Sequence, residues 1–171
     1  MRIISGYLKG KKINLPKDKL TRPLKDMVKE SIFNIIEHST EINYKVADSV
    51  ILDLFSGSGS FGLECISRGA KFVFFSENYQ SSINILEKNI KDLKCEDKCK
   101  ILKKSSFDIS KNFKESANII FMDPPFKEKN INLLIEKIYE MKILKKNGTL
   151  IIHRNKKIDE NLSPKFKIID T

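Results

Sequence analysis

The sequence predicts an α/β fold, a mostly parallel sheet with helices on both faces. Three observations carry that expectation. Between residues 50 and 153, short apolar runs alternate with stretches whose apolar residues recur at helical spacing. The runs at 50–54, 72–75, 119–122 and 150–152 are near-continuous, as in strands covered on both sides. A glycine-rich segment and a proline pair follow two of these runs, where strand-to-helix connections lie in such folds.

The elements follow in order. Residues 2–13 read as two short strands around the Gly6-to-Gly10 turn, a small hairpin. Pro16 and Pro23 punctuate the approach to a helix, and Pro23 suits a first helical turn because its missing N–H costs nothing there. Leu24, Val28, Ile32, Ile35 and Ile36 form that helix's apolar stripe. Val50–Leu54 is the first buried strand and Ser60–Ser67 a helix closed by Arg68-Gly69. Residues 71–76 form the second strand, and Gln80–Leu93 a helix with Ile83, Leu86, Ile90 and Leu93 on one face. Residues 100–104 and 118–122 are the third and fourth strands. A helix follows at 131–141, then Lys145 and Lys146 at its C-terminus, a turn at Asn147-Gly148 and a fifth strand at 149–153. Residues 166–170 are a candidate sixth strand.

The 171 residues are one domain's worth of chain, enough to bury a core without staples. No apolar run approaches the roughly 18–20 residues of a membrane span. Residues 1–12 are basic and lack the apolar stretch of a secretory signal. Cys65, Cys95 and Cys99 have no further pair or nearby His to complete a metal set, so they read as free thiols in a reducing cytosol. Cys65 reads as core packing. The formal charge is +10, and six of those ten charges fall in residues 1–30. A basic end suggests a polyanionic partner, nucleic acid before membrane, although a solvated lysine surface explains the charge alone equally well.

Gly57, Gly59 and Gly62 spell G-x-G-x-x-G between the first strand and its helix. Such glycines let backbone turn tightly and approach a ligand. Glu77, at the end of the second strand, suits the two hydroxyls of an adenosine ribose. Those residues fit a dinucleotide or another adenosine cofactor. Asp53, four residues before Gly57, tilts the choice: a carboxylate repels a pyrophosphate and attracts the ammonium and sulfonium of S-adenosylmethionine.

Asp123-Pro124-Pro125-Phe126 follows the fourth strand, at the same sheet edge as the glycine loop. Two prolines fix the backbone and carry no N–H. Asp123 is an acceptor-only side chain and Phe126 a flat face. The set suits a planar base with an exocyclic amino group, its N–H bonds on the Asp123 carboxylate and Pro124 carbonyl, its ring on Phe126. Stacking of this kind is worth about 1–3 kcal/mol. Two acceptors on both N–H bonds favour a more tetrahedral nitrogen whose lone pair faces a methyl donor. His38 is a singleton with no partner in sequence, and His153, after the fifth strand, reads as a surface or capping residue ahead of a substrate contact.

With these residues in view, the chain resembles the RsmD family of bacterial small-subunit ribosomal RNA guanine-N2 methyltransferases, class I enzymes with a Rossmann-like fold. The resemblance runs from Arg2-Ile3-Ile4-Ser5-Gly6 and Lys9-Gly10-Lys11-Lys12 through Arg22-Pro23, Asp26, Glu30 and Phe33-Asn34. It continues through the glycine loop, Gly62-Leu63-Glu64, Ser67-Arg68-Gly69-Ala70 and Asp123 to Phe126. It implies an N-terminal basic arm over residues 1–20 and a methyltransferase domain over 21–171. It implies that Asp53, Phe55, Gly57 and Gly59 line the methionine end of S-adenosylmethionine, with Glu77 on the ribose. Arg22 and Pro23 would close over cofactor and substrate, and Asp123, Pro124, Pro125 and Phe126 would hold the flipped guanine. Arg2, Lys9, Lys11, Lys12 and Arg22 would grip RNA phosphates.

Two positions depart from the family pattern. Ser105 and Ser106 stand where an acid reads the adenine amino group, and the final antiparallel strand of the sheet is missing after residues 166–170. The expected partner is ribosomal RNA or the assembling small subunit, in the cytoplasm, for a monomer without metal or membrane. Adenine-N6 methylation of DNA or RNA suits the same four residues. A catalytically weakened RNA-binding or assembly protein on the same fold is the non-enzyme alternative.

Overall fold

A computed structural model describes residues 1–16, 24–111, 113, 115–125, 127–154 and 166–169. Among the described residues nine principal elements follow the hairpin: α1 (Asp26–His38), β1 (Val50–Leu54), α2 (Ser60–Ser67), β2 (Phe72–Ser76), α3 (Gln80–Leu93), β3 (Cys99–Leu102), β4 (Ala117–Met122), α4 (Ile131–Glu140) and β5 (Leu144–Ile152). Short 3-10 turns lie at Glu96–Lys98 and Ser106–Lys111. The five strands pair in the order β3-β2-β1-β4-β5, every pair parallel. The chain steps outward from β1 through β2 to β3, then returns to the other side of β1 as β4. That reversal between β1 and β4 is the switch point where such sheets open a crevice at their carboxyl edge.

Strand alternation divides the core. Ile51, Val73, Phe75, Ile119 and Phe121 face one cluster with α1, α2, α3 and the hairpin. Leu52, Leu54, Phe74, Ile120 and Met122 face the other with α4 and the 106–111 turn. All eight residues of α2 are buried, because sheet, hairpin and neighbouring helices enclose it. Phe33, Phe61 and Phe121 stack from α1 through α2 onto the sheet, with centroids 5.1 and 4.0 Å apart, and Arg68 caps the stack 4.2 Å above Phe33.

The hairpin has one antiparallel bridge, Arg2 to Lys12, rather than two developed strands. Its side chains Ile3, Leu8 and Ile13 belong to the core. It lies along α2 and is pinned there by Glu64, whose carboxylate accepts the Ile4 and Ser5 N–H groups at 2.8 and 2.9 Å. Glu64 also meets Arg68 Nε at 3.0 Å and the fully buried Lys29 at 3.6 Å.

Several sequence expectations shift. The buried face of α1 centres on Lys29, Phe33 and Ile36, while Ile35 is exposed. The cause is the Lys29–Glu64 pair, which turns a lysine inward and rotates the apolar stripe. The Asn147-Gly148 turn lies inside β5 as an irregularity: Ala117 pairs Leu144 and Ile119 already pairs Thr149. Lys145 and Lys146 belong to that strand rather than to the end of α4. Residues 166–169 form no strand; Phe166 packs edge-on against Tyr139 at 5.8 Å and Lys167 pairs with Glu41 at 2.6 Å. Among the described residues no antiparallel strand flanks β5. No described helix is long and apolar enough to cross a membrane.

Candidate active site

Parallel strands deliver their C-terminal residues to one edge, so Phe55 to Gly59, Glu77, Ser105 and Ser106, Asp123 and His153 all gather there. The register is direct: Leu54 pairs Met122, so the glycine loop and Asp123 leave adjacent strands side by side.

Phe55 and Gly57 both have positive φ, 56° and 55°. For Phe55 that conformation is strained, of order 1–3 kcal/mol, and it persists because neighbours hold it. The Phe55 N–H donates to Ser106 Oγ at 3.1 Å and its ring meets Phe107 edge-on at 5.9 Å. A Cβ on Gly57 would meet nothing within 4 Å, so the backbone there borders open space. Gly59, with φ 83°, and Gly62 differ: added methyls would lie 2.4 Å from Leu86 Cδ1 and 2.3 Å from Phe75 Cε1. Those two glycines serve packing of α2 on α3 and the sheet, whereas Gly57 faces the crevice.

Glu77 accepts three backbone N–H bonds, from Gly57 at 2.8 Å on Oε2 and from Asn78 and Tyr79 at 2.9 and 2.8 Å on Oε1. Of about four lone-pair sites on a carboxylate, one on Oε2 remains for a hydroxyl. Ser106 is buried and its hydroxyl sits between Phe55 N–H and Ser76 Oγ, bracing the glycine loop. Ser105 accepts the Phe107 N–H at 3.3 Å at the start of the 3-10 turn.

Asp53 is 1 % exposed and accepts the Gly62 N–H at 3.0 Å. Burial pushes its carboxyl well above the usual 3.8, against the Gly62 bond and aided by the charges of Asp123 and Glu77. A raised folded pKa means a cost that begins above pH 3.8, the unfolded value, and grows as pH rises to the folded value. Asp53→Asn keeps an acceptor for Gly62 and removes the buried acid. We expect a higher Tm than wild type at pH 7, the gain shrinking to nothing below about pH 4. Thermal melts of both proteins across pH check it, and an equal or lower Tm at pH 7 contradicts it.

Asp123, a quarter exposed, places Oδ1 2.9 Å from His153 Nδ1. Pro124 is buried and Pro125 exposed. The Pro125 carbonyl accepts Glu128 N–H at 2.9 Å, whereas among the described residues no donor occupies the Pro124 carbonyl. Arg154 Nη2 donates to the Glu128 carbonyl at 2.6 Å and so ties the segment after the prolines to the end of β5. Sequence reading put a surface or capping role for His153 ahead of a substrate contact and did not single out Arg154. The signal for both is the β4–β5 register: Met122 pairs Ile152, which makes Asp123 and His153 neighbours. Phe126, Arg22 and Pro23 lie outside the described residues. Arg2, Lys9, Lys11 and Lys12 are exposed on the hairpin, whose open end lies by Ser60 and whose turn lies by Ser67. Those ends are roughly 10 Å apart at 1.5 Å per helical residue. No group of three or more His, Cys, Asp or Glu among the described residues is placed to hold a metal ion.

An all-parallel sheet of this order, with a glycine loop after β1 and an acid after β2, defines a Rossmann-like class I methyltransferase fold. Comparison with known proteins agrees. The family model described as Conserved hypothetical protein 95 matches residues 1–170. The ribosomal RNA small subunit methyltransferase D of Haemophilus influenzae is 34 % identical over 159 residues, covering 91 % of this chain and 79 % of that protein. Its counterpart from Buchnera aphidicola subsp. Acyrthosiphon pisum is 32 % identical over 155 residues, covering 91 % and 78 %. A solved Thermus structure of a hypothetical protein superposes with a TM-score of 0.79 at 19 % identity, over 94 % of this chain and 90 % of that one, a likeness of fold. A methyltransferase complexed with SAH superposes with a TM-score of 0.60 at 22 % identity, over 74 % of this chain and 35 % of that one. The chain belongs to the RsmD family.

Proposed function

We propose that this chain transfers the methyl group of S-adenosylmethionine to the N2 amino group of a guanine in small-subunit ribosomal RNA. The observation that carries the reading is the adjacency of β1 and β4: an open glycine backbone at Gly57 and an acceptor at Asp123 share one crevice. The relatives named for ribosomal RNA favour that substrate over DNA.

The residues fit the cofactor. Gly57 leaves room, Glu77 Oε2 keeps a lone pair for a ribose hydroxyl, and Asp53, buried beneath the loop on the Gly62 N–H, is the acid that a cationic methionine end would draw toward ionisation. Phe55 and Gly59 shape the loop around it, Ser105 is the hydroxyl available to an adenine edge, and Ser106 holds Phe55 in place. When bound, S-adenosylmethionine supplies a methyl group on an electron-poor sulfur. Asp123 and the Pro124 carbonyl grip the two N–H bonds of the base, orienting the nitrogen lone pair and reducing its delocalisation into the ring. As the new N–C bond forms, the nitrogen gives up one proton, and Asp123 is the nearby acceptor. Phe126 and Arg22 complete the base and cofactor contacts in this reading, and Arg2, Lys9, Lys11 and Lys12 carry RNA phosphates.

Isothermal calorimetry tests the cofactor directly. We expect S-adenosylmethionine to bind and NAD not to, and a concentration of 100 times Kd to add about 2.7 kcal/mol of stability. Heat with NAD and none with S-adenosylmethionine contradicts the reading.

A further inference from the structure

We propose that His153 is a positioning residue for Asp123, holding its carboxylate through a neutral Nδ1–H bond and making methyl transfer pH-dependent. The inference rests on the reading of Asp123 as acceptor of the substrate amino group. His153 begins where β5 ends, and its own N–H donates to the Met122 carbonyl at 2.9 Å, one residue before Asp123. Backbone and ring thus both attach the end of β5 to the end of β4. The ring–carboxylate distance of 2.9 Å is that of a charge-assisted hydrogen bond. An ionised carboxylate needs a donor at that contact, which assigns the proton to Nδ1 and leaves Nε2 as the other ring nitrogen. His153 is 29 % exposed, so its ring exchanges protons with solvent.

The chemical consequence follows from charge. Neutral His153 fixes the plane of the carboxylate without cancelling its charge. Protonated His153 places a full positive charge beside it, which weakens Asp123 as an acceptor for the base amino group. Turnover therefore falls as acid protonates the ring. Other charged groups surround the pair. Asp53 on β1 is close enough for Asp123 to raise its pKa, Glu128 follows the prolines, and Arg154 is next along the chain. Among the described residues, His153 is the ionisable side chain in direct contact with Asp123.

The test uses full-length protein, labelled S-adenosylmethionine and unmodified small-subunit ribosomal RNA transcribed in vitro, with kcat measured from pH 5.5 to 9. His153→Ala should lose roughly ten- to hundredfold in kcat, with S-adenosylmethionine Kd unchanged. His153→Asn carries an uncharged N–H donor near the Nδ1 position. It should recover most of kcat at pH 8 and lack the wild-type acid limb. Unchanged S-adenosylmethionine Kd and thermal melts within a few degrees of wild type certify the fold of each variant. An acid limb retained in His153→Asn, or full kcat in His153→Ala, overturns the role of His153. A fully active Asp123→Ala overturns instead the underlying reading of Asp123, so the two failures are separable.

Discussion

Asp123→Ala is expected to lose on the order of 10²–10³ in kcat while S-adenosylmethionine Kd stays within about twofold of wild type. The carboxylate stands at the end of β4, where the proposed reading puts the base amino group, whereas the glycine loop follows β1. The interaction strengthens as the nitrogen becomes tetrahedral, so its loss appears in the chemical step rather than in binding. The substitution also removes the partner of His153, and its effect should therefore equal or exceed that of His153→Ala. Single-turnover rates at saturating RNA, beside calorimetric cofactor binding, separate the two quantities. Wild-type turnover in the variant, or a cofactor Kd that weakens in step with kcat, contradicts the assignment.

Glu64→Ala is expected to destabilise the fold by about 3–5 kcal/mol. Glu64 is fully buried and is the joint of four groups: the Ile4 and Ser5 N–H bonds of the hairpin, Arg68 and Lys29. Lys29 is 0 % exposed, and burial already lowers its pKa against the raising charge of Glu64. Removing the carboxylate leaves two backbone donors unpaired and leaves the buried ammonium with only the half-exposed Asp26, the Arg2 carbonyl and Ser60 among the described residues. For a chain of this length each kcal/mol moves Tm by about 2–4 °C, so a fall on the order of 10 °C is expected. Hydrogen exchange should speed first at Ile4 and Ser5, because their N–H groups lose the Glu64 carboxylate while Tyr7 and Leu8 stay bonded to Ser67. A Tm within 2 °C of wild type, a span of about 1 kcal/mol, contradicts this account of the joint.

Much of this molecule was legible before its structure. Apolar runs with βα rhythm gave five parallel strands because strands buried on both faces leave little ambiguity of period. The glycine loop was legible because its neighbours agree: a strand before it, a helix after it, an acid beyond the next strand. What escaped is what depends on two distant elements at once. Lys29 reads as a solvent-facing lysine until Glu64 is brought to it from another helix, and the apolar stripe of α1 turns accordingly. Ser106 reads as a ligand residue until Phe55, with its positive φ, is seen to use the hydroxyl for its N–H. His153 is a lone histidine in sequence, and only the register of β5 on β4 gives it a carboxylate. The irregularity in β5 was visible as Asn147-Gly148 but not its outcome, since the same pair serves a hairpin turn or an interruption in one strand.

The central claim is amino-group methylation of guanine in small-subunit ribosomal RNA, and the modified nucleoside tests it most directly. Unmodified small-subunit ribosomal RNA, both free and in assembled subunits, is incubated with the protein and labelled S-adenosylmethionine, then digested to nucleosides and resolved by mass spectrometry. The account predicts label in N2-methylguanosine, dependent on Asp123. Label in N6-methyladenosine would place the same acceptors around a different base, and no label in either substrate with an intact cofactor site would contradict methyl transfer to ribosomal RNA.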